Sequence, residues 1–422
     1  LKQKSNDQIQ LSLGWGQMGA LLQMGLKLNN FSIANLLKKN KEHRGFLPVG
    51  DGETMSLNAQ TNGKYYQSYG LQYATNWFGG KRPIQFTLGA NFSKSTGLNS
   101  NYYNRSYMEN YYNYMYGVGN YSYNNYENYL DPDKYIQIWG FYAGWGKRLR
   151  WPDDYFQLSL QLSYQRYILK NWRYFFVMSN GTANNLSLNI TLNRSSTDNQ
   201  LFPRTGSEFT ASLSITPPWS KFDKKDYKHL ANDRFSATYQ QEQQEKYRWV
   251  EYHKWKFKAR TFTALSNGNK CFVLMTRVEF GLLGSYNKYK KSPFETFYMG
   301  GDGMSGYSSN YAQETIGLRG YDNGQLTQHG EGYAYDRMTL ELRYPLLLGN
   351  TTIYGLGFLE AGNAWTETSK FNPFDMKRSA GIGVRIFLPM VGMMGIDWAY
   401  GFDKVFGKKG GSQFHFILGQ EF

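Results

Sequence analysis

Strict two-residue alternation is the feature that most restricts what this chain can fold into. Over 156–165, Phe156, Leu158, Leu160, Leu162 and Tyr164 alternate with Gln157, Ser159, Gln161, Ser163 and Gln165. Over 186–193, Leu186, Leu188, Ile190 and Leu192 alternate with Ser187, Asn189, Thr191 and Asn193. Successive side chains of a strand point to opposite faces, so each segment reads as a strand with one apolar and one watery face. Over 254–260, Lys254, Lys256, Lys258 and Arg260 share one face and Trp255, Phe257 and Ala259 the other. A Lys or Arg turned to lipid near the membrane midplane costs about 2–4 kcal/mol, so a row of four belongs inside a closed barrel.

Composition agrees once the barrel is assumed. Mean hydropathy is −0.61 and hydrophobic residues make up 41% of the chain, values ordinary for a protein in water. No stretch approaches the roughly 18 apolar residues of a membrane-crossing helix. In a barrel only alternate residues face lipid, which hides the hydrophobicity from any average. The high aromatic content, 18% with Tyr 36 and Trp 11, suits girdles at the two membrane interfaces.

The alternation yields sixteen strands, near 8–18, 20–31, 54–67, 68–78, 84–97, 134–150, 155–171, 183–197, 207–216, 253–265, 271–286, 333–347, 351–365, 378–388, 393–402 and 412–422. The fold class is all-β: a sixteen-stranded antiparallel transmembrane β-barrel, one domain over 1–422. Turn residues at 79–83, 152–154, 267–270, 349–350 and 388–390 mark short connections, expected on the periplasmic side. Longer links at 98–133, 217–252, 288–332, 366–377 and 403–411 fall between them and are expected outside the cell. The segment 32–53 is long although it lies on the short side, and is read as a periplasmic insert. The Tyr/Asn-rich 98–133 is read as a surface loop, with a sticky recognition loop as the alternative.

Several functions lose their footing. The net charge of +15 is scattered among strands with no basic tract, so no nucleic acid partner is expected. His43, His229, His253, His329 and His415 stand far apart without metal-ligand spacing, and no metal or other cofactor is expected. Gly301-Asp302-Gly303-Met304-Ser305-Gly306 matches G-x-G-x-x-G but lacks the surrounding βαβ pattern of a dinucleotide site. There is no nucleophile elbow or Walker A loop, and Asp153-Asp154 sits in a turn, so no enzyme activity is expected. The single Cys271 reads as a small packing residue. No initiator Met or apolar leader opens the chain, and further N-terminal sequence is expected.

The link 288–332 holds Phe297-Tyr298-Met299-Gly300-Gly301 and then Gly317-Leu318-Arg319-Gly320-Tyr321-Asp322. Before it stands Asp198-Asn199-Gln200-Leu201-Phe202-Pro203-Arg204-Thr205-Gly206. After it come Leu340-Glu341-Leu342-Arg343-Tyr344-Pro345, Phe358-Leu359-Glu360-Ala361-Gly362-Asn363-Ala364-Trp365, Arg378-Ser379-Ala380-Gly381-Ile382-Gly383-Val384-Arg385 and Asp397-Trp398-Ala399-Tyr400. In this order the strings resemble the F-x-x-G-G and R-G-(F/Y) motifs, and their surroundings, in the outer-membrane insertase superfamily that includes BamA, TamA and the two-partner-secretion transporters. The first half of the chain matches mainly in strand rhythm and in Leu13-Gly14-Trp15-Gly16.

The resemblance implies that the long loop folds back into the lumen and that Arg319, with Gly320 and Tyr321, docks on an acidic inner wall. Glu360 is the aligned carboxylate and Asp375 a looser second partner. Leu356 and Phe358 share the face of Glu360, so its inward orientation comes with the resemblance and not from alternation. An exposed R-G-Y-D turn is the plainer reading of the string alone. The resemblance further implies N-terminal POTRA domains and a Gram-negative outer-membrane location. It also implies a role in inserting client outer-membrane β-barrel proteins through a lateral gate, with accessory outer-membrane lipoproteins, the lipid bilayer and lipopolysaccharide as partners. Closure would pair 8–18 with 412–422, where Gly14, Gly16 and Gly419 either weaken a gate or relieve wall curvature. Phe422 resembles the terminal aromatic by which such barrels are themselves recognised. A TamA-like factor, a two-partner-secretion transporter and a passive porin are the rival readings.

Overall fold

The computed structural model describes residues 8–16, 19–33, 35, 52–79, 83–98, 130–172, 178–230, 236–268, 270–303, 314–327, 331–349, 351–388 and 392–418. Most of 32–53 and of 98–133, together with Gly419 and Phe422, therefore lies outside the described residues.

The alternating segments become the strands they encode. In chain order these are β1 (Gln8–Gly16), β2 (Gly19–Phe31), β3 (Glu53–Asn62), β4 (Tyr66–Thr75), β5 (Ile84–Leu98), β6 (Leu130–Arg148), β7 (Phe156–Lys170), β8 (Gly181–Ser195) and β9 (Gly206–Ile215). The second half has β10 (His253–Ala264), β11 (Val273–Gly284), β12 (Phe297–Met299), β13 (Glu314–Ile316), β14 (Ala334–Leu347), β15 (Thr352–Trp365), β16 (Lys377–Leu388), β17 (Gly392–Val405) and β18 (Lys408–Leu418). All except β12 and β13 form one sixteen-stranded sheet in which each strand pairs with its neighbour in sequence. Every ladder in it is antiparallel, and β1 and β18 approach each other at the seam. Two short helices, α1 (Trp219–Phe222) and α2 (Tyr239–Tyr247), lie in the link before β10.

Exposure follows the alternation. Leu71, Leu88, Phe141, Leu162, Phe280, Leu340, Leu359, Ile382, Ile396 and Phe416 stand exposed on the outer surface, where lipid is their natural solvent. The inner face of the second half is packed. One apolar cluster joins Tyr167, Phe294, Phe297, Met299, Leu318, Tyr321 and Tyr335, filling the lumen from the loop side. A second joins Phe202, Phe262, Cys271, Val273, Met275, Tyr354, Leu356 and Phe358 nearer the short turns. Phe202 enters the second cluster because Asn199 Oδ1 accepts from the N–H groups of Leu201 and Phe202 and folds that turn tightly.

One expected link is absent. Residues 403–411 do not form a long connection, because β17 runs on to Val405 and β18 begins at Lys408. Phe406 (φ 49) and Gly407 (φ 81) close the hairpin in the left-handed conformation that favours a two-residue turn matching strand twist. The last strand consequently starts four residues before the expected 412.

Candidate functional site

Within the long link, the F-x-x-G-G segment acts as a template for the segment that follows. Phe297–Met299 pairs in parallel with Glu314–Ile316. Gly300 (φ +129) and Gly301 (φ +74) then take left-handed conformations that let the chain bend while still bonding. Gly300 N donates to Ile316 O at 2.9 Å, and Gly301 exchanges two hydrogen bonds of 3.1 Å with Leu318. Phe297 is fully buried, edge-on to Tyr335, with Lys254 Nζ 4.7 Å from its ring centre. This small unit fixes the direction in which the next residue, Arg319, leaves it.

Arg319 is wholly buried between the two apolar clusters. Its Nη2 donates to Glu341 at 2.8 Å and to Glu360 at 2.9 Å, and its Nη1 donates to Asp397 at 2.8 Å. Its backbone N–H also donates to Glu360, at 3.0 Å, and the guanidinium lies 3.4 Å above the Phe358 ring centre. Each acid has a second cation from the wall: Arg343 on Glu341, Arg337 on Glu360 and Arg385 on Asp397, at 2.8, 2.6 and 2.6 Å. Three carboxylates thus bridge four guanidiniums in a buried layer. Burial alone would lower the affinity of Arg319 for its proton, but Glu360, Glu341 and Asp397 outweigh it and hold that affinity above the ordinary value. Removing one member of such a network leaves an uncompensated charge, a loss of about 3–5 kcal/mol.

The following residues tie the loop to the last strands. Gly320 (φ +87) donates its N–H to His415 Nε2 on β18 at 2.9 Å. Gly401 and Gly410 leave room for it, since a Cβ on either would meet Gly320 O, at 2.3 and 2.8 Å. Tyr321 OH donates to Arg378 O at 2.7 Å, and burial pushes its phenol up to about 12. Asp322 accepts from Gln413 at 2.8 Å and pairs with Lys408.

Against known proteins, residues 49–422 match the model of the Omp85 superfamily domain. The chain belongs to the Omp85 superfamily. No curated protein matches it by sequence. Among solved structures, this Omp85 barrel is similar to BamA from Haemophilus ducreyi lacking POTRA domains 1–3, with 16% identity and a TM-score of 0.61. That match covers 98% of this chain and 70% of the other. It is also similar to CdiB from Escherichia coli, with 10% identity and a TM-score of 0.54 over 99% of this chain and 62% of the other. At these identities the likeness shows the fold alone. A barrel of this superfamily resides in the outer membrane, crossing it with strands.

The geometry of this Omp85 site differs from the expected one in membership. Arg319 and Glu360 lie together, but Asp375 does not join them. It is exposed, pairs with Lys377 at 2.9 Å, and lies in the link beyond β15. Asp397 and Glu341 stand where Asp375 is expected from the motifs. Charge marks the inner face of β14 as it does that of β10: Arg337, Thr339, Glu341 and Arg343 alternate with Met338, Leu340, Leu342 and Tyr344, which puts Glu341 within reach of the alternation. Glu360 carries no such signal, because Tyr354, Leu356 and Phe358 on its face belong to the lower apolar cluster. Gly14 and Gly16 pair with Leu21 and Gly19 within the first hairpin.

Proposed function

We propose that this Omp85 barrel is an outer-membrane protein insertase that assembles client β-barrel proteins into the membrane through a lateral gate between β1 and β18. The observation that carries the reading is the buried docking of Arg319 on Glu341, Glu360 and Asp397. A client threading the lumen would have to break that network. A client entering at the seam would not, and β1 and β18 are neighbours with no hairpin joining them. A strand edge freed there offers unpaired N–H and C=O groups that template an incoming strand. No covalent step is required, and client folding supplies the free energy. In this reading the partners are client barrels, accessory outer-membrane lipoproteins, and the bilayer with its lipopolysaccharide, and POTRA domains precede the barrel.

The fold likeness to CdiB supports a second reading, a two-partner-secretion transporter that must expel the loop to pass its cargo. One experiment separates the two. Cysteine pairs across β1 and β18, in a Cys271→Ser background, are oxidised in proteoliposomes and client assembly is followed by protease protection. Insertion should stop on oxidation and return on reduction. Normal insertion by the locked barrel would contradict the gate.

A further inference from the structure

Beside the docking network, the inner wall carries a second charged group on β10 and β11. Arg260 on β10 stands directly opposite Arg277 on β11, a like-charged cross-strand pair that is unfavourable unless something neutralises it. Among the described residues, Glu208 and Glu279 pair with these cations. Arg260 is held by Glu208 at 2.8 Å through Nε. Lys258 and Arg277 share Glu279 Oε1, at 3.0 and 3.6 Å, and the longer contact is beyond hydrogen-bond reach.

Arg277 therefore stands out. Its side chain is 0% exposed, yet none of its three nitrogens has a hydrogen-bond partner among the described residues. Other guanidiniums of this wall, those of Arg337, Arg343 and Arg385, each bond a carboxylate. A buried guanidinium with its donors unused is costly, and the fork of N–H groups matches an oxyanion. On the lumen side, Lys258 and Arg260 are 44% and 20% exposed, so an anion reaches these two cations from water while Arg277 backs them.

We propose that Lys258, Arg260 and Arg277 form an anion site on the inner wall that takes a phosphate-sized oxyanion from the lumen. The site stands apart from the gate reading and survives its failure.

The test is thermal unfolding of the purified full chain in detergent, with sulfate or inorganic phosphate against chloride at matched ionic strength. Wild type should gain roughly 2–4 °C in Tm from millimolar oxyanion over chloride. Arg277→Met, which replaces an unsatisfied buried charge by an apolar chain of similar length, should fold and lose that gain. Lys258→Gln, at a more exposed position, should reduce it and decides the matter if Arg277→Met does not fold. Equal responses of wild type to oxyanion and chloride would overturn the site. So would an undiminished sulfate effect in the variants, which would mark general exclusion of the salt from the protein surface.

Discussion

From β5 to β8 the inner wall carries Asn91, Gln161, Ser163, Gln165, Ser187 and Asn189 around a polar cavity of about 290 Å³. From β10 to β18 the inner wall carries Lys254, Arg277, Arg337, Glu341, Glu360, Arg385, Asp397 and His415, buried under the loop. The first wall bonds through neutral groups, such as Ser163 with Ser187 at 2.7 Å and Asn189 to Ser163 at 3.2 Å. Neutral hydroxyls and amides facing a cavity exchange protein partners for water at little cost. The second wall is a connected ionic layer in which each acid serves two cations, so every member depends on the others. The loop touches the first wall through Tyr167, which stacks on Phe294 at 4.2 Å, but it makes its ionic contacts on the second.

Breaking the charged wall should have the largest effect. Glu360→Gln weakens bonds from the Arg319 backbone, the Arg319 and Arg337 guanidiniums and Thr339 at once. It should cost about 3–5 kcal/mol in urea unfolding and expose Arg319 to trypsin. A smaller loss, about 1–3 kcal/mol, is expected from Gly401→Val, whose Cβ would meet Gly320 O at 2.3 Å and push the loop tip off β17. In that variant Arg319 should stay protected from trypsin while the Tyr321 contact loosens.

Acid should loosen the loop through Glu314, which pairs with Lys254 and Lys256. Burial works to raise the Glu314 carboxyl, but Lys254 and Lys256 outweigh it and hold the group at about 2, against 4.5 ordinarily. A depressed carboxylate stabilises fully above its unfolded value, and that contribution fades as pH falls from about 4.5 to about 2. Loop protection by hydrogen exchange should decline over that window, and Glu314→Gln should flatten the dependence. The smallest effect, within about 0.5 kcal/mol, is expected for Ser163→Ala on the neutral wall. A loss there equal to that of Glu360→Gln would erase the distinction between the walls.

Much of this contrast is legible in the chain. Alternation and turn residues together give sixteen strands, the last beginning four residues before the expected 412, and the row from Lys254 to Arg260 identifies the inner face from charge and spacing. Arg319 and Glu360 come from motif resemblance, which carries partners that are distant in sequence. Asp397 and Glu341 escape as partners of Arg319 because barrel curvature, and not spacing, brings β14, β15 and β17 around one guanidinium. His415 looks like an isolated histidine, since nothing local shows that β18 passes beside Gly320. The short parallel pair of β12 and β13 escapes as well, because three-residue strands are too short for alternation to register. The hairpin at Phe406-Gly407 is hidden because Phe is a poor marker for a left-handed turn.

Single-channel conductance in planar bilayers tests the docked loop most directly, by comparing wild type with Arg319→Ala. Wild type should pass no large, steady ohmic current, because the ionic layer and its two apolar clusters close the lumen, whereas Arg319→Ala should open long-lived conducting states. A large, steady pore in wild type, unchanged by the substitution, would contradict the account.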